Sequence, residues 1–115
     1  MKKINILKES RDFSRIIHST KSFHYKDYIV YLERTNENIY HFGFSVGKKI
    51  GNAVTRNKVK RRIKNILDEK TYQNGFNCII IVKKAILEKS FGEMREDLFK
   101  LVKKLNIMKD VENEK

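Results

Sequence analysis

The succession of hydrophobic patterns predicts an α+β fold. It is an α/β sandwich: a small mixed sheet with a βαβ crossover and about three helices. Three observations predict it. Tyr40, Phe42, Phe44 and Val46 alternate with His41, Gly43, Ser45 and Gly47, the period-two pattern of a strand with one covered face. Val59, Ile63, Ile66 and Leu67 form one apolar helical stripe, and Met94, Leu98, Leu101, Val102 and Leu105 form another. Cys78-Ile79-Ile80-Ile81-Val82 is apolar at both parities, as an interior strand is.

Taken in order, residues 1–9 read as a loosely held N-terminal arm. Ser10 is placed to cap a short helix reaching about His18, on which Phe13, Ile16 and Ile17 share a face. Residues 23–34, rich in β-branched and aromatic side chains, read as one strand with both faces covered. Thr35-Asn36-Glu37-Asn38 turns the chain into a second strand over 39–46. Its core side is Tyr40, Phe42, Phe44 and Val46; its small, polar side leaves room for a ligand lying across the sheet. Gly51-Asn52 is a turn and N-cap for a helix over 53–70, and Gln73-Asn74-Gly75 ends that helix. Strand 39–46, helix 53–70 and strand 78–82 then make a βαβ unit with parallel strands. Residues 83–89 connect to a last helix over 91–105, whose outer face mixes both charge signs. Residues 106–115 are a polar tail expected to fray. The 115 residues make a single domain.

The charge is lopsided. The formal net charge is +12, and residues 1–67 hold 16 Lys/Arg against 5 Asp/Glu, whereas residues 68–115 hold 10 against 9. A basic excess confined to one part of the chain marks a polyanion-binding surface, with nucleic acid the leading partner. A membrane surface fits less well, because the basic helix has no Trp or Phe on its apolar side. One cysteine excludes an intrachain disulfide and a cysteine-rich zinc site, and the apolar run around Cys78 makes it a core residue. The first ten residues lack a secretory h-region, so a reducing cytoplasmic setting is expected.

The basic excess peaks between Arg56 and Lys64, where Arg56, Lys58, Lys60, Arg61, Arg62 and Lys64 put six cations in nine residues. No acid occurs between Glu37 and Asp68. As a stability device this is poor. Arg56/Lys60, Lys58/Arg62 and Lys60/Lys64 are like-charged i,i+4 pairs, each costing about 0.2–0.5 kcal/mol, and cations at a helix start oppose the macrodipole. Closely spaced negative charge from outside the fold accounts for them.

Catalytic constellations are missing by contrast. A two-metal nuclease needs convergent carboxylates, yet Asp12, Asp27, Glu33 and Glu37 are scattered singly over different elements. His18, His24 and His41 have no paired acid, and Gly43, Gly47 and Gly51 lack phosphate-loop spacing. No metal ligands are assigned in the protein. It reads as a binder.

The stretch GFSVGKKIGNAVTRNKVKRRIK resembles the signature of the protein subunit of bacterial ribonuclease P, an Arg-Asn-Arg-like box followed by a Lys-Arg pair. Here the box is Arg56-Asn57-Lys58 and the pair is Lys60-Arg61, with Lys48-Lys49 upstream; the looser match runs from about Leu7 to Leu105. The resemblance implies a left-handed βαβ crossover and no catalytic residue in the protein. Catalysis would belong to an RNA subunit working with Mg2+. The partners implied are ribonuclease P RNA and precursor tRNA, the protein being a monomer within the holoenzyme. Carried over by position, Lys48, Lys49, Arg56, Asn57, Lys58, Lys60, Arg61 and Lys64 would contact RNA. Phe13, Ile17, Tyr31 and Ser45 would line a groove for the single-stranded 5′ leader. The chain departs from the family pattern at Lys58 and Lys64, where Arg is more usual, at Ile17, often aromatic, and at Gly47, often Ser; the usual Pro after the last strand is absent. Three other readings compete: a general RNA- or ribosome-binding protein, a duplex-DNA-binding helix, and a stand-alone ribonuclease.

Overall fold

Between Ser22 and Arg34 the chain does not run straight. In the computed structural model, which describes residues 1–109, β1 (Ser22–Tyr25) turns back at Lys26-Asp27 into β2 (Tyr28–Arg34). The single strand expected over 23–34 is therefore a hairpin, closed by the Tyr25–Tyr28 pair. A two-residue connection demands positive φ, which Gly or Asn normally supplies; here Lys26 adopts it at φ 52°, so no turn residue announces the reversal. The turn is held from outside. Lys83 N–H donates to the Asp27 carbonyl at 2.8 Å, and the Lys89 ammonium lies 3.6 Å from the nearly buried Asp27 carboxylate.

The sheet order is β1-β2-β4-β3, with β3 at Tyr40–Ser45 and β4 at Phe76–Val82. β2 pairs antiparallel with β4, and β3 pairs parallel with it. The parallel pair is joined through α2 (Ala53–Leu67), which is the expected βαβ unit. β4 is thus an interior strand, covered on both faces, which explains why its sequence is apolar at both parities. α2 stops three residues short of the expected 70; Asp68 caps it, and the Tyr72 hydroxyl donates to the Leu67 carbonyl at 2.7 Å.

One face of the sheet carries the core. Tyr28, Val30, Phe42, Phe44, Phe76, Cys78, Ile80 and Val82 meet the stripes of α2 and of α3 (Phe91–Leu105). Val59, Ile63, Ile66 and Leu67 come from α2, and Met94, Leu98, Leu101 and Val102 from α3, all buried as their periodicity predicts. Cys78 lies fully inside, and burial pushes its thiol up to about 12, so it is not a nucleophile at neutral pH. Among the described residues the opposite face is covered by α1 (Ser10–Ser19), and Ile16 of that helix and Ile79 of the sheet are fully buried outside the main cluster. Ser10 is the first helical residue rather than the cap; Glu9 occupies the cap position without a side-chain bond.

The first and last of the described residues are better fastened than the sequence suggests. Leu7 N–H donates to the Phe42 carbonyl at 2.8 Å, Ile6 pairs parallel with Phe42, and the Asn5 amide donates to the Tyr40 carbonyl at 2.8 Å. The arm expected to be loose is strapped to the outer edge of β3, whose backbone groups would otherwise be unpaired. At the other end Asn106 takes a left-handed cap (φ 55°), and Ile107 is fully buried. Gln73 N–H donates to the Ile107 carbonyl and Lys109 N–H to the Thr71 carbonyl, both at 2.9 Å. Residues 106–109 are therefore docked, not frayed; the remainder of the expected tail, 110–115, lies outside the described residues. No helix among the described residues is long and apolar enough to cross a membrane.

Candidate nucleic-acid interface

α2 begins where its sequence says it must. Asn52 Oδ1 accepts from Thr55 N–H at 3.0 Å. Gly51 sits at φ 151°, where an added Cβ would also crowd Thr55 at 3.1 Å. Arg56, half-buried, donates from Nε to the Gly51 carbonyl at 3.1 Å, which fixes the loop and leaves the rest of its guanidinium uncommitted. The apolar stripe pins the helix to the sheet, so its cations occupy the open arc. Lys60 and Lys64 line one flank, where with Lys8, Ile6, Leu7 and Phe44 they bound a recess of about 270 Å³. Asn57 and Arg61 form the exposed crest. Lys58 and Arg62 line the far flank, against the turn before α3.

Among the described residues the ion pairs involve Met1, Arg15, Lys89, Arg95 and Lys100. None involves Lys48, Lys49 or any cation of α2. Among the described residues the like-charge repulsion deduced from the sequence is therefore uncompensated, and the acid-buried arrangement that would have explained it away is absent.

The second part of the site is the sheet face beneath α1. Tyr31, Ile79 and Gly43 form one cross-strand row, and Ile29, Ile81 and Ser45 the next. Phe13 packs on Gly43 so closely that a Cβ there would fall 2.7 Å from its ring. Phe13, Tyr31 and Ser45 therefore share this face, each half-buried, and Ile17 lies one turn beyond Phe13 on the covering helix. At the third row, Arg15 forks onto Glu33, Asn77 donates to Glu33 Oε1 at 2.8 Å, and His41 Nδ1 lies 2.7 Å from Asn77 Oδ1. The Arg15 and Asn77 bonds hold the Glu33 carboxyl below its usual range.

Beyond α1 the face opens into a groove of about 590 Å³. Its floor is Ile29, Ser45 and Ile81, and its rim is Lys48, Lys49, Lys83 and Lys84. Lys48 and Lys49 thus belong to the groove rather than to the flank of α2. Sequence reasoning marks Lys83 and Lys84 only as a connector. The signal was present: parallel strands end on the same side, so the residues after β3 must neighbour those after β4. The place of Lys8 beside α2, and that of the segment before α3 beside Arg62, were missed as well; nothing in the local sequence points to those neighbours.

Among the described residues no three His, Cys, Asp or Glu side chains gather as a metal site would require, and His41 and His18 are bonded to Asn77 and Ser14 on separate elements. The arrangement can hold a single-stranded polyanion: cations follow its phosphates while apolar and aromatic surface meets its bases.

Comparison with known proteins agrees. The family model described as Ribonuclease P matches residues 1–106. The ribonuclease P protein component of Mycoplasma capricolum subsp. capricolum is 37% identical over 108 residues, covering 91% of this chain and 99% of that one. That of Lactococcus lactis subsp. lactis is 35% identical over 115 residues, covering 99% and 98%. A solved structure of the Staphylococcus aureus RNase P protein, a mutant with defective mRNA degradation activity, superposes with a TM-score of 0.82 at 28% identity, covering 91% of each chain. The chain belongs to the ribonuclease P protein family, the protein components of a ribonucleoprotein endoribonuclease whose RNA subunit carries the catalysis.

Proposed function

We propose that α2 docks on ribonuclease P RNA through Arg56, Asn57, Lys58, Lys60, Arg61 and Lys64, while the sheet groove takes the 5′ leader of precursor tRNA. Beside the groove, at α1 and the sheet face under it, Phe13, Ile17 and Tyr31 meet unpaired bases; within the groove Ser45 lies on the floor, and Lys48, Lys49, Lys83 and Lys84 follow the phosphates. The protein works as a single copy in a cytoplasmic holoenzyme. Magnesium serves the RNA's chemistry there, and the protein's cations shield phosphate repulsion, so less magnesium is needed. The observation that carries this reading is the groove's construction. An apolar floor with a rim of four lysines opens on the same small domain as a helix whose cations have no acidic partner among the described residues.

The test is reconstitution with a ribonuclease P RNA at low magnesium, scored by cleavage of precursor tRNA. Cleavage should rise on adding the protein, and leader-bearing tRNA should bind more tightly than leaderless tRNA. Tyr31→Ala, or Lys83→Ala with Lys84→Ala, should erase that preference while RNA docking persists. Equal affinity for both substrates in the unmodified protein would instead support general RNA binding without a leader site.

A further inference from the structure

Arg62 and Lys58 have no place in the groove and lie away from the Lys60–Lys64 flank. They border a separate cleft of about 230 Å³ between α2 and the segment leading into α3. Val59, Ile86, Leu87 and Met94 form its walls, and Thr55 and Lys89 complete it. No acid lines it. Lys89 is shared between Asp27 at 3.6 Å and Asp97 at 4.0 Å, so the uncompensated charge comes from Lys58 and Arg62. Leu87 is 46% exposed at its mouth, and Val54, on the same side of α2, is 77% exposed. The cleft is smaller than a drug-sized pocket, and it joins an apolar slot to two cations spaced one helical turn apart.

We propose that this cleft is a nucleotide slot for ribonuclease P RNA, taking one extruded, unpaired nucleotide. Its base enters between Leu87, Met94 and Val59, and its flanking phosphates meet Lys58 and Arg62. The chemistry favours RNA over an acidic peptide, because the chain's partner is RNA, and proteins recognise RNA largely through splayed-out unpaired bases. α2 would then be gripped from both flanks, by one RNA segment at Lys60–Lys64 and by a second at Lys58–Arg62. The inference rests on the reading that α2 docks on ribonuclease P RNA.

Because the one cysteine, Cys78, is fully buried, Glu88→Cys, exposed beside Leu87 but outside the lining of the cleft, supplies a single reactive thiol for an azidophenacyl photocrosslinker. The labelled protein is assembled with ribonuclease P RNA, and assembly is verified by cleavage at low magnesium before irradiation. Failure at that stage would count against the α2 docking itself, not against the slot. In the assembled enzyme, crosslinks should map to a single unpaired nucleotide of ribonuclease P RNA. Arg62→Ala combined with Leu87→Glu should weaken RNA binding about tenfold, within the range for losing one base contact, and leave the preference for leader-bearing tRNA in place. Crosslinks absent, confined to the leader, or scattered along duplex RNA would overturn the slot, as would unchanged affinity in the double variant.

Discussion

α2 and α3 are both helices of 15 residues, both bury four apolar side chains in the same core, and they pack against each other. Their surfaces obey opposite rules. α3 carries a full capping box, in which Ser90 Oγ accepts from Glu93 N–H at 3.1 Å and Ser90 N–H donates to Glu93 Oε1 at 2.8 Å. It has an acid in its first turn, Lys103 and Lys104 in its last, a Lys100–Glu96 pair along its face and an Arg95 fork onto Glu69. Each device complements the helix dipole or pairs a charge. α2 has a single side-chain cap bond, at Asn52, no acid at all and six cations. α3 is finished by its own side chains, whereas α2 is left for a partner to finish.

The largest expected effect that would sharpen this contrast is on RNA binding. Arg61→Ala with Lys64→Ala should lower the slope of log K against log salt by about 1.4, given roughly 0.7 per phosphate contact to a single strand. Thermal stability should hold or rise slightly, because the like-charged Lys60/Lys64 pair is relieved. The mirror experiment is Ser90→Ala, expected to cost about 1 kcal/mol through the lost cap, read by denaturant unfolding, with RNA affinity unchanged. If Ser90→Ala weakened RNA binding as strongly as the α2 variant, the division of labour would be wrong.

A smaller effect is expected from acid titration. Glu33 is held below its usual carboxylate range by the hydrogen bond from Arg15 and then that from Asn77, Glu69 by Arg95, and Glu93 by Ser90. For each, the folded state binds its proton more weakly than the unfolded chain. The stability they contribute is present above the ordinary Glu range and fades as pH falls through it. Unfolding midpoints measured downward from neutral pH should decline there, and Glu69→Gln with Glu93→Gln should flatten the decline. The smallest expected effect is from Gly47→Ser, since a Cβ at Gly47 meets nothing within 4 Å. The fold should be unmoved, and leader affinity should change less than in Tyr31→Ala.

The range of the interactions decides which features the sequence disclosed and which it hid. α3 over 91–105, the Asn52 cap, the core parity of β3 and the place of Cys78 are local patterns, and each is found as read. The Lys26-Asp27 reversal was hidden because a lysine was forced into a backbone region that Gly or Asn would have advertised. The docking of residues 5–7 was hidden because it depends on which strand ends up at an edge. The lysine rim was half legible: Lys48 and Lys49 stood out, while Lys83 and Lys84 join them only once β3 and β4 are known to run parallel. Arg62 is legible as a charge, but its neighbours come from the segment before α3, some twenty-five residues further along the chain.

The strap of residues 5–7 along β3 also bears on how the molecule behaves when crowded. An open sheet offers its bare margin to any copy of itself. Here one margin is sealed by the chain's own arm, and the other, β1, is only four residues long. Trimming the arm back to Lys8 would uncover β3, and the expected consequence is self-association at concentrations where the full chain stays dispersed.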